Sequence, residues 1–338
     1  MNICITGNVL CSAYGDRFED YEFSAEPELL RIDRDFKVLP KVRRTDRLSR
    51  ICLYTVMGLL DKNTSLKDYL QRTGIVMSSK YGPYKVCKEY IETVKAEGYD
   101  MGSPTLFSST VANAGVGYIC RALGLHGPMT TERGADGIVS AIQCIQSGKA
   151  EVAYSLAVDE ITEVLTALTG QENNERFSEI SNLLAIESEE HAVNRNAPIL
   201  GYIYGVQTFA VKKNGDRLFK EQDFTACLKL ALEEWKERFN MMDGDIAAVI
   251  LSSSQGSDQW QLERDFFQSY LKEPFQTLSP KDFFGESFSS AFQNAMQFAL
   301  LSSEVTSDGY LIVIDADFEE SKVSLALLKG NPAREADV

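Results

Sequence analysis

An α/β layered fold is predicted for this 338-residue chain by three observations. Short β-rich apolar runs alternate with amphipathic helical stretches from one end to the other. The strand–helix–strand idiom occurs in both halves. No linker or low-complexity segment interrupts it, so the chain reads as one compact unit built from two similar parts.

Each element has its own signal. Residues 2–6 (NICIT) are apolar and β-rich and run straight into Gly7, which predicts a buried strand ending in a tight turn. The same N-terminus has no basic region ahead of its apolar residues, so it reads as a strand rather than a signal peptide. Over 45–61, Leu48, Cys52, Leu53, Val56 and Leu59 fall at helical spacing, with Thr45 or Asp46 placed to cap the helix. TGIVMSS (73–79) is the next strand. Residues 108–123 predict a helix rich in small residues, Ala112, Ala114, Gly115 and Gly117 among them, ended by the glycine and proline of GLHGP (124–128).

A short strand at 129–131 precedes a helix over 135–147, with Ile138, Ala141, Ile142 and Ile145 on one face and Gly148 as its stop. EVAYSLAVD (151–159) has the low polarity of a strand at a sheet centre. In the second half NLLAIES, ILGYIYGVQTFAV, 246–254, YLIVIDAD and KVSLALLK predict strands. Residues 222–239 and 287–303 predict helices, the latter with Ala291, Ala295 and Ala299 at i, i+4 spacing. The expected division is residues 1–165 and 166–330, followed by a disordered tail over 331–338.

Composition narrows the function. A net charge of −15 repels the phosphates of nucleic acid and an anionic membrane surface. No apolar run approaches the roughly 18 residues a membrane span needs. The seven cysteines are scattered and no C-x-x-C pair occurs, which leaves disulfide and zinc readings without support. Buried small thiols in a reducing cytoplasm are expected, with no metal and no cofactor. Lys41, Arg43, Arg44, Arg47 and Arg50 form a basic run that suits either an acidic carrier protein or an ordinary solvated helix face.

The order of the short motifs resembles that of the β-ketoacyl synthases, the condensing enzymes of the thiolase superfamily. Ile5-Thr6-Gly7 with Ser12 and Gly15 resembles the family's opening strand, and Arg43 to Ser49 (RRTDRLS) is similar to its R-R-M-D-R-F-S. Asn113 with Gly117, followed by Gly124-Leu125-His126-Gly127-Pro128, matches N-x-x-A-G and then G-L-x-G-P. Gly148-Lys149-Ala150-Glu151 matches G-x-A-D, and residues 185–201 look like L-E-x-x-x-x-A-x-x-R-G-A-x-I. Lys281 with Gly285 matches K-x-x-x-G-H up to the histidine. The resemblance implies a thiolase-like fold, with duplicated βαβαβαββ halves in a five-layer α-β-α-β-α sandwich and a dimeric state.

The resemblance also implies a catalytic set that this chain lacks. The family uses a cysteine at a helix N-terminus to carry the acyl chain, and two histidines to support decarboxylation and stabilise the oxyanion. The segment between Pro128 and the helix at 135–147 holds no cysteine and is about five residues short of the family length; Thr131 or Gly134 takes the nucleophile position, depending on where the gap falls. Gln255-Gly256-Ser257 resembles H-G-T with glutamine for histidine, and Glu286 stands where the second histidine would follow Gly285. The only histidines, His126 and His191, lie elsewhere and read as loop or surface residues. The family's G-F-G-G loop is replaced by Asp315 to Glu320, and its G-G-A-E by Leu156 to Asp159.

Thr131 has no histidine to activate it, though a buried Glu286 would offer a base. Ser252, Ser253, Ser254 and Ser287 are further hydroxyls, of a type that usually serves turns. Lys281 and Glu286 are spaced for an ion pair that plugs the old active site.

The expectation is therefore a degenerate, chain-length-factor-like subunit with no independent condensing activity. It would pair as a heterodimer with an active ketosynthase and meet the acyl carrier protein through that partner. Ala112, Asn113, Gly115 and Gly117 are the tunnel or interface candidates, and close packing within the chain is the competing explanation for their size. Acyl transfer, decarboxylation or hydrolysis on the same scaffold, or a purely structural partner, are the alternatives.

Overall fold

A computed structural model describes residues 1–16, 29–36, 40–43, 45–162, 176–216, 218–302, 305 and 309–331. Its strands are β1 (Ile3–Ser12), β2 (Leu29–Leu30), β3 (Thr73–Ser78), β4 (Met129–Glu132), β5 (Val152–Val158), β6 (Phe177–Ser178), β7 (Ile180–Ser188), β8 (Gly201–Ala210), β9 (Ile246–Ile250), β10 (Gln276–Leu278), β11 (Tyr310–Asp317) and β12 (Lys322–Gly330). The α-helices are α1 (Arg47–Lys62), α2 (Tyr84–Glu97), α3 (Pro104–Ser108), α4 (Ala114–Leu123), α5 (Asp136–Gln146), α6 (Glu189–Asn194), α7 (Glu221–Phe239), α8 (Asp258–Tyr270), α9 (Lys281–Phe284) and α10 (Ala291–Leu301).

Ten strands hydrogen-bond in the order β10-β9-β11-β12-β8-β1-β7-β5-β3-β4, and β2 pairs with β6 apart from them. Ranked by position in the chain, β4-β3-β5-β7-β1 and β10-β9-β11-β12-β8 have the same order, 3-2-4-5-1. In both, the fifth strand runs antiparallel to its neighbours while the second, third and fourth are parallel. The duplication that the sequence shows only as a recurring idiom is thus explicit in the strand order. The expected division at residue 165 lies outside the described residues, as do residues 332–338 of the tail.

Alternation along the strands builds the layers. In β5, Val152, Tyr154, Leu156 and Val158 face α1 and α4, whereas Ala153 faces inward. In β11, Ile312 and Ile314 face α7 and α8, whereas Leu311 and Val313 face inward. Between the inner faces lie α5 and α10, which share one core with both sets of strands. The result is helix, sheet, helix, sheet, helix. The central layer carries a polar seam as well: Gln297 donates to Asn182 (2.6 Å), Asn182 to Asn294 (2.8 Å) and Ser155 to Gln293 (2.8 Å). Each buried amide there finds a partner, so the seam fixes how the two halves sit together.

Most elements fall where their patterns place them, and three do not. The first strand runs through Gly7 to Ser12 instead of turning there; a register shift at Ile5/Gly7 absorbs the irregularity, and a Cβ on Gly7 would meet Leu59 of α1 at 2.7 Å. The helix expected over 108–123 is broken into α3 and α4, because Ser109 to Asn113 form a turn tied by Ser109 Oγ to the Tyr118 hydroxyl (3.1 Å). The helix expected over 287–303 begins as a short 3₁₀ turn at Phe288–Ser290. Asp46 rather than Thr45 caps α1, accepting from the Ser49 amide at 3.1 Å.

Candidate active-site cavity

A cavity of about 490 Å³ opens where the ends of the parallel strands of the second half meet the first half. Its walls are the loop after β9, the α9 turn with Gly285 to Phe288, the first turns of α10, and the end of β11. Strand alternation explains one wall: Asp315 follows Leu311 and Val313 on the inward face, but lies past the core and so reaches the cavity. Lys80 closes the opposite side, held by the buried Asp159, which accepts from the amides of Lys80 (2.8 Å) and Tyr81 (3.0 Å).

The cavity is charged. Lys281 Nζ lies 2.6 Å from Glu286 Oε2, the ion pair the spacing predicts, and Glu286 Oε1 accepts from the Phe288 amide at 2.8 Å. Burial works against a charge on Glu286, but Lys281 outweighs it, with Lys80 behind, and holds the carboxyl down at about 2. Glu286 is therefore a poor base, and the pairing of Thr131 with it falls away. Lys80 Nζ bonds Asp317 (2.8 Å) and Glu319 (3.2 Å), and although burial opposes its charge these carboxylates raise its pKa. Five carboxylates (Asp216, Glu286, Asp315, Asp317, Glu319) face three lysines (Lys80, Lys213, Lys281) in the lining. Phe284, Ala291 and Ala295 supply an apolar end.

No thiol or imidazole lines this cavity. Burial pushes Cys4 and Cys11 up to about 12 and raises Cys52 further, so these are core residues and not nucleophiles. His126 is exposed. His191 lies on α6, its Nδ1 2.6 Å from the buried Glu187, which Arg195 also holds. Among the described residues no group of histidine, cysteine and carboxylate side chains is placed to hold a metal ion, and no helix is long and apolar enough to cross a membrane.

The sequence-derived candidates separate. Gly134 (φ +49°) lies in the turn between β4 and α5, its carbonyl accepting from Ser78 Oγ at 2.9 Å, and a Cβ there would come 3.9 Å from Asp317. Thr131 instead sits within β4 opposite Met77 and does not line the cavity. The strand-to-helix turn is thus at Gly134. Gln255 is exposed and does not line the cavity, its amide donating to Asp282 (2.9 Å). Ser257 ends this loop by capping α8, its hydroxyl accepting from the Trp260 amide at 3.2 Å. Leu251, Ser252, Ser253, Ser254 and Ser257 of this loop line the cavity. The four small-residue candidates do not line the cavity either. Gly115 is buried against Met77, Cys52 and Ser49, while Ala112, Asn113 and Gly117 are exposed, and a Cβ on Gly117 would meet nothing within 4 Å.

Sequence reading missed Glu263 and the role of Asp315. Glu263 is fully buried on α8 and accepts from Ser252 Oγ (2.6 Å), Ser252 N (3.0 Å), Ser253 Oγ (3.1 Å) and Gln259 Nε2 (3.2 Å). Its place eleven residues beyond Ser252 gives no local signal. For Asp315, burial and then the charges of Asp317 and Glu286 push the carboxyl up from 3.8 to about 7. A folded-state pKa above the unfolded one means stability that is complete below about pH 4 and is lost as pH rises to 7. Asp315→Asn is therefore expected to stabilise the protein by about 2 kcal/mol at pH 8 and hardly at all at pH 4, after discounting for partial exposure. Urea unfolding at the two pH values reads this directly.

No family model matches the chain, and no curated protein matches it by sequence. Solved structures do match. A chain of the AntDE:AntF assembly, a type II polyketide acyl-carrier protein in complex with its ketosynthase bound to the hexaketide, superposes with a TM-score of 0.79 at 18% identity, covering 98% of this chain and 99% of that one. The ishigamide ketosynthase/chain length factor gives 0.75 at 17%, and a β-ketoacyl synthase from Burkholderia phymatum 0.72 at 14%, with the same coverage. The fold is that of the ketosynthases. In this fold the cavity lies at the strand ends, beside the Lys281–Gly285 segment.

Proposed function

We propose that the protein is a catalytically degenerate ketosynthase-like subunit of the chain-length-factor type. It pairs with an active β-ketoacyl synthase in type II polyketide, aryl polyene or fatty-acid-like biosynthesis in the cytoplasm, and meets the acyl carrier protein through that partner. The supporting observation is the content of the cavity: a Lys281–Glu286 ion pair and an excess of carboxylates, with no thiol or imidazole among its lining residues. Claisen condensation needs a thiolate to hold the acyl group and donors to stabilise an oxyanion, and a carboxylate held ionised repels that oxyanion.

The outer surface supports a partner role. Phe107 (57% exposed) and Val111 (49%) precede α4, and Met129 (54%) stands on β4, whose outer edge pairs with no described strand. Apolar side chains next to an open sheet edge mark a surface made for another chain. Gly117 opens on the same helix.

Co-expression with a competent ketosynthase tests the reading. A 1:1 heterodimer by light scattering is expected, and the chain purified alone should elongate no carrier-bound primer. In the complex, Gly117→Leu should shorten the product if α4 shapes the acyl tunnel. An unchanged product in a stable complex would leave only the structural-partner role. Elongation by the lone chain would overturn the proposal.

A further inference from the structure

We propose that Ser252 and Glu263 form a serine–carboxylate dyad that accepts the acyl group of a neutral acyl thioester. This goes beyond the partner role and does not rest on it. Ser252 lines the cavity while its hydroxyl donates backward to Glu263 Oε1 at 2.6 Å. That is the geometry of a nucleophile on its base, within the 2.6–3.2 Å hydrogen-bond reach such pairs require. Glu263 is 0% exposed and anchored by Gln259 and by the Ser252 amide, so its carboxylate is oriented without solvent. Burial raises its proton affinity above that of an ordinary glutamate even against four donors.

The loop also supplies an oxyanion site. The main-chain amides of Ser253 and Ser254, the two residues after Ser252, donate to no group among the described residues. An amide directly following the nucleophile is where acyl-transfer enzymes of unrelated folds place an oxyanion donor. The step balances without a co-reactant. Ser252 Oγ attacks the thioester carbonyl carbon and its proton passes to Glu263. The carbonyl oxygen, now negative, meets the Ser253 and Ser254 amides. The C–S bond then breaks, Glu263 returns the proton to the departing thiolate, and the products are an acyl ester on Ser252 and a free thiol.

The cavity selects the acyl group. Its lining carries five carboxylates against three lysines, and Lys281 and Lys80 are already paired, so the balance of charge disfavours a malonyl-type carboxylate over a neutral acyl group. Phe284, Ala291 and Ala295 offer an apolar end to a short uncharged chain.

The experiment incubates the purified full chain with synthetic acetyl, hexanoyl and malonyl thioesters of N-acetylcysteamine, followed by intact mass and peptide mapping. The expected result is one acetyl or hexanoyl adduct on Ser252, no malonyl adduct, and no adduct at that site in Ser252→Ala. Glu263→Gln should label about a hundredfold more slowly, and wild-type labelling should rise with pH as Glu263 loses its proton. Should Glu263→Gln fail to fold, the pH profile of the wild type carries that part of the test. No adduct from either neutral thioester, or equal labelling in Ser252→Ala, would overturn the dyad. Neither outcome bears on heterodimer formation, which Ser252→Ala should leave intact.

Discussion

Lys281→Met should destabilise the protein by about 3 kcal/mol at pH 7, and most of that loss should return in the double variant Lys281→Met/Glu286→Gln. The pair is close, 2.6 Å, and both side chains are little more than a fifth exposed, so solvent screens it weakly. Removing only the lysine leaves a carboxylate in the cavity with Lys80 as its remaining cation. Replacing both groups removes the charge that needed a partner.

The pH dependence separates this from a packing effect. In the wild type the Glu286 carboxyl is held at about 2 against 4.5 when free, so its contribution is complete above pH 4.5 and is lost as pH falls through 2. Without Lys281, burial is opposed only by Lys80 and the Phe288 amide, and the folded-state pKa rises. The deficit of Lys281→Met should therefore be largest at pH 7 and shrink towards pH 3. Chemical denaturation of the three proteins across that range gives the answer; a deficit that does not change with pH would mean that the pair contributes packing alone.

Fold and site were legible to different degrees, for physical reasons that can be named residue by residue. Strand and helix periodicity is local, so the alternation over β5, α5, β8, α7, β11 and β12 was readable. The motifs supplied the order in which these elements pack. The Lys281–Glu286 pair was readable because one turn and a bend separate its members. The exposure of Gln255 was not readable, because it depends on the path of the loop between Ser254 and the Ser257 cap rather than on spacing from the strand. Glu263 and Asp315 carry no local signal. The first is a glutamate on the buried face of an amphipathic helix, beside Phe266 and Phe267, and the second is one of two alternating aspartates whose face is fixed only when β11 takes its place between β9 and β12. The small residues of 112–117 could not be sorted into packing and exposed faces before α4 met α1, which buries Gly115 and leaves Gly117 open.

Gly285→Ala should be among the most damaging single substitutions in the chain, costing about 4 kcal/mol. Gly285 has φ +69° and ψ −162°, a region essentially closed to residues with a Cβ. Space closes the other route. A Cβ there would lie 2.3 Å from the Arg176 carbonyl oxygen, a main-chain atom that is itself bonded to the Glu286 amide at 2.7 Å. Ser178 N returns the bond to the Glu286 carbonyl at 2.9 Å, so residues 176–178 and Glu286 are joined on both sides and neither can retreat cheaply. The glycine of K-x-x-x-G is thus required by backbone approach, whatever residue follows it. The turn is structural, and the side chain that follows it is not fixed by the backbone contact. The variant should lower the urea midpoint at every pH and should also release Glu286 from Lys281. Lys281→Met should therefore cost much less in the Gly285→Ala background than in the wild type, because the two sites are coupled through one turn.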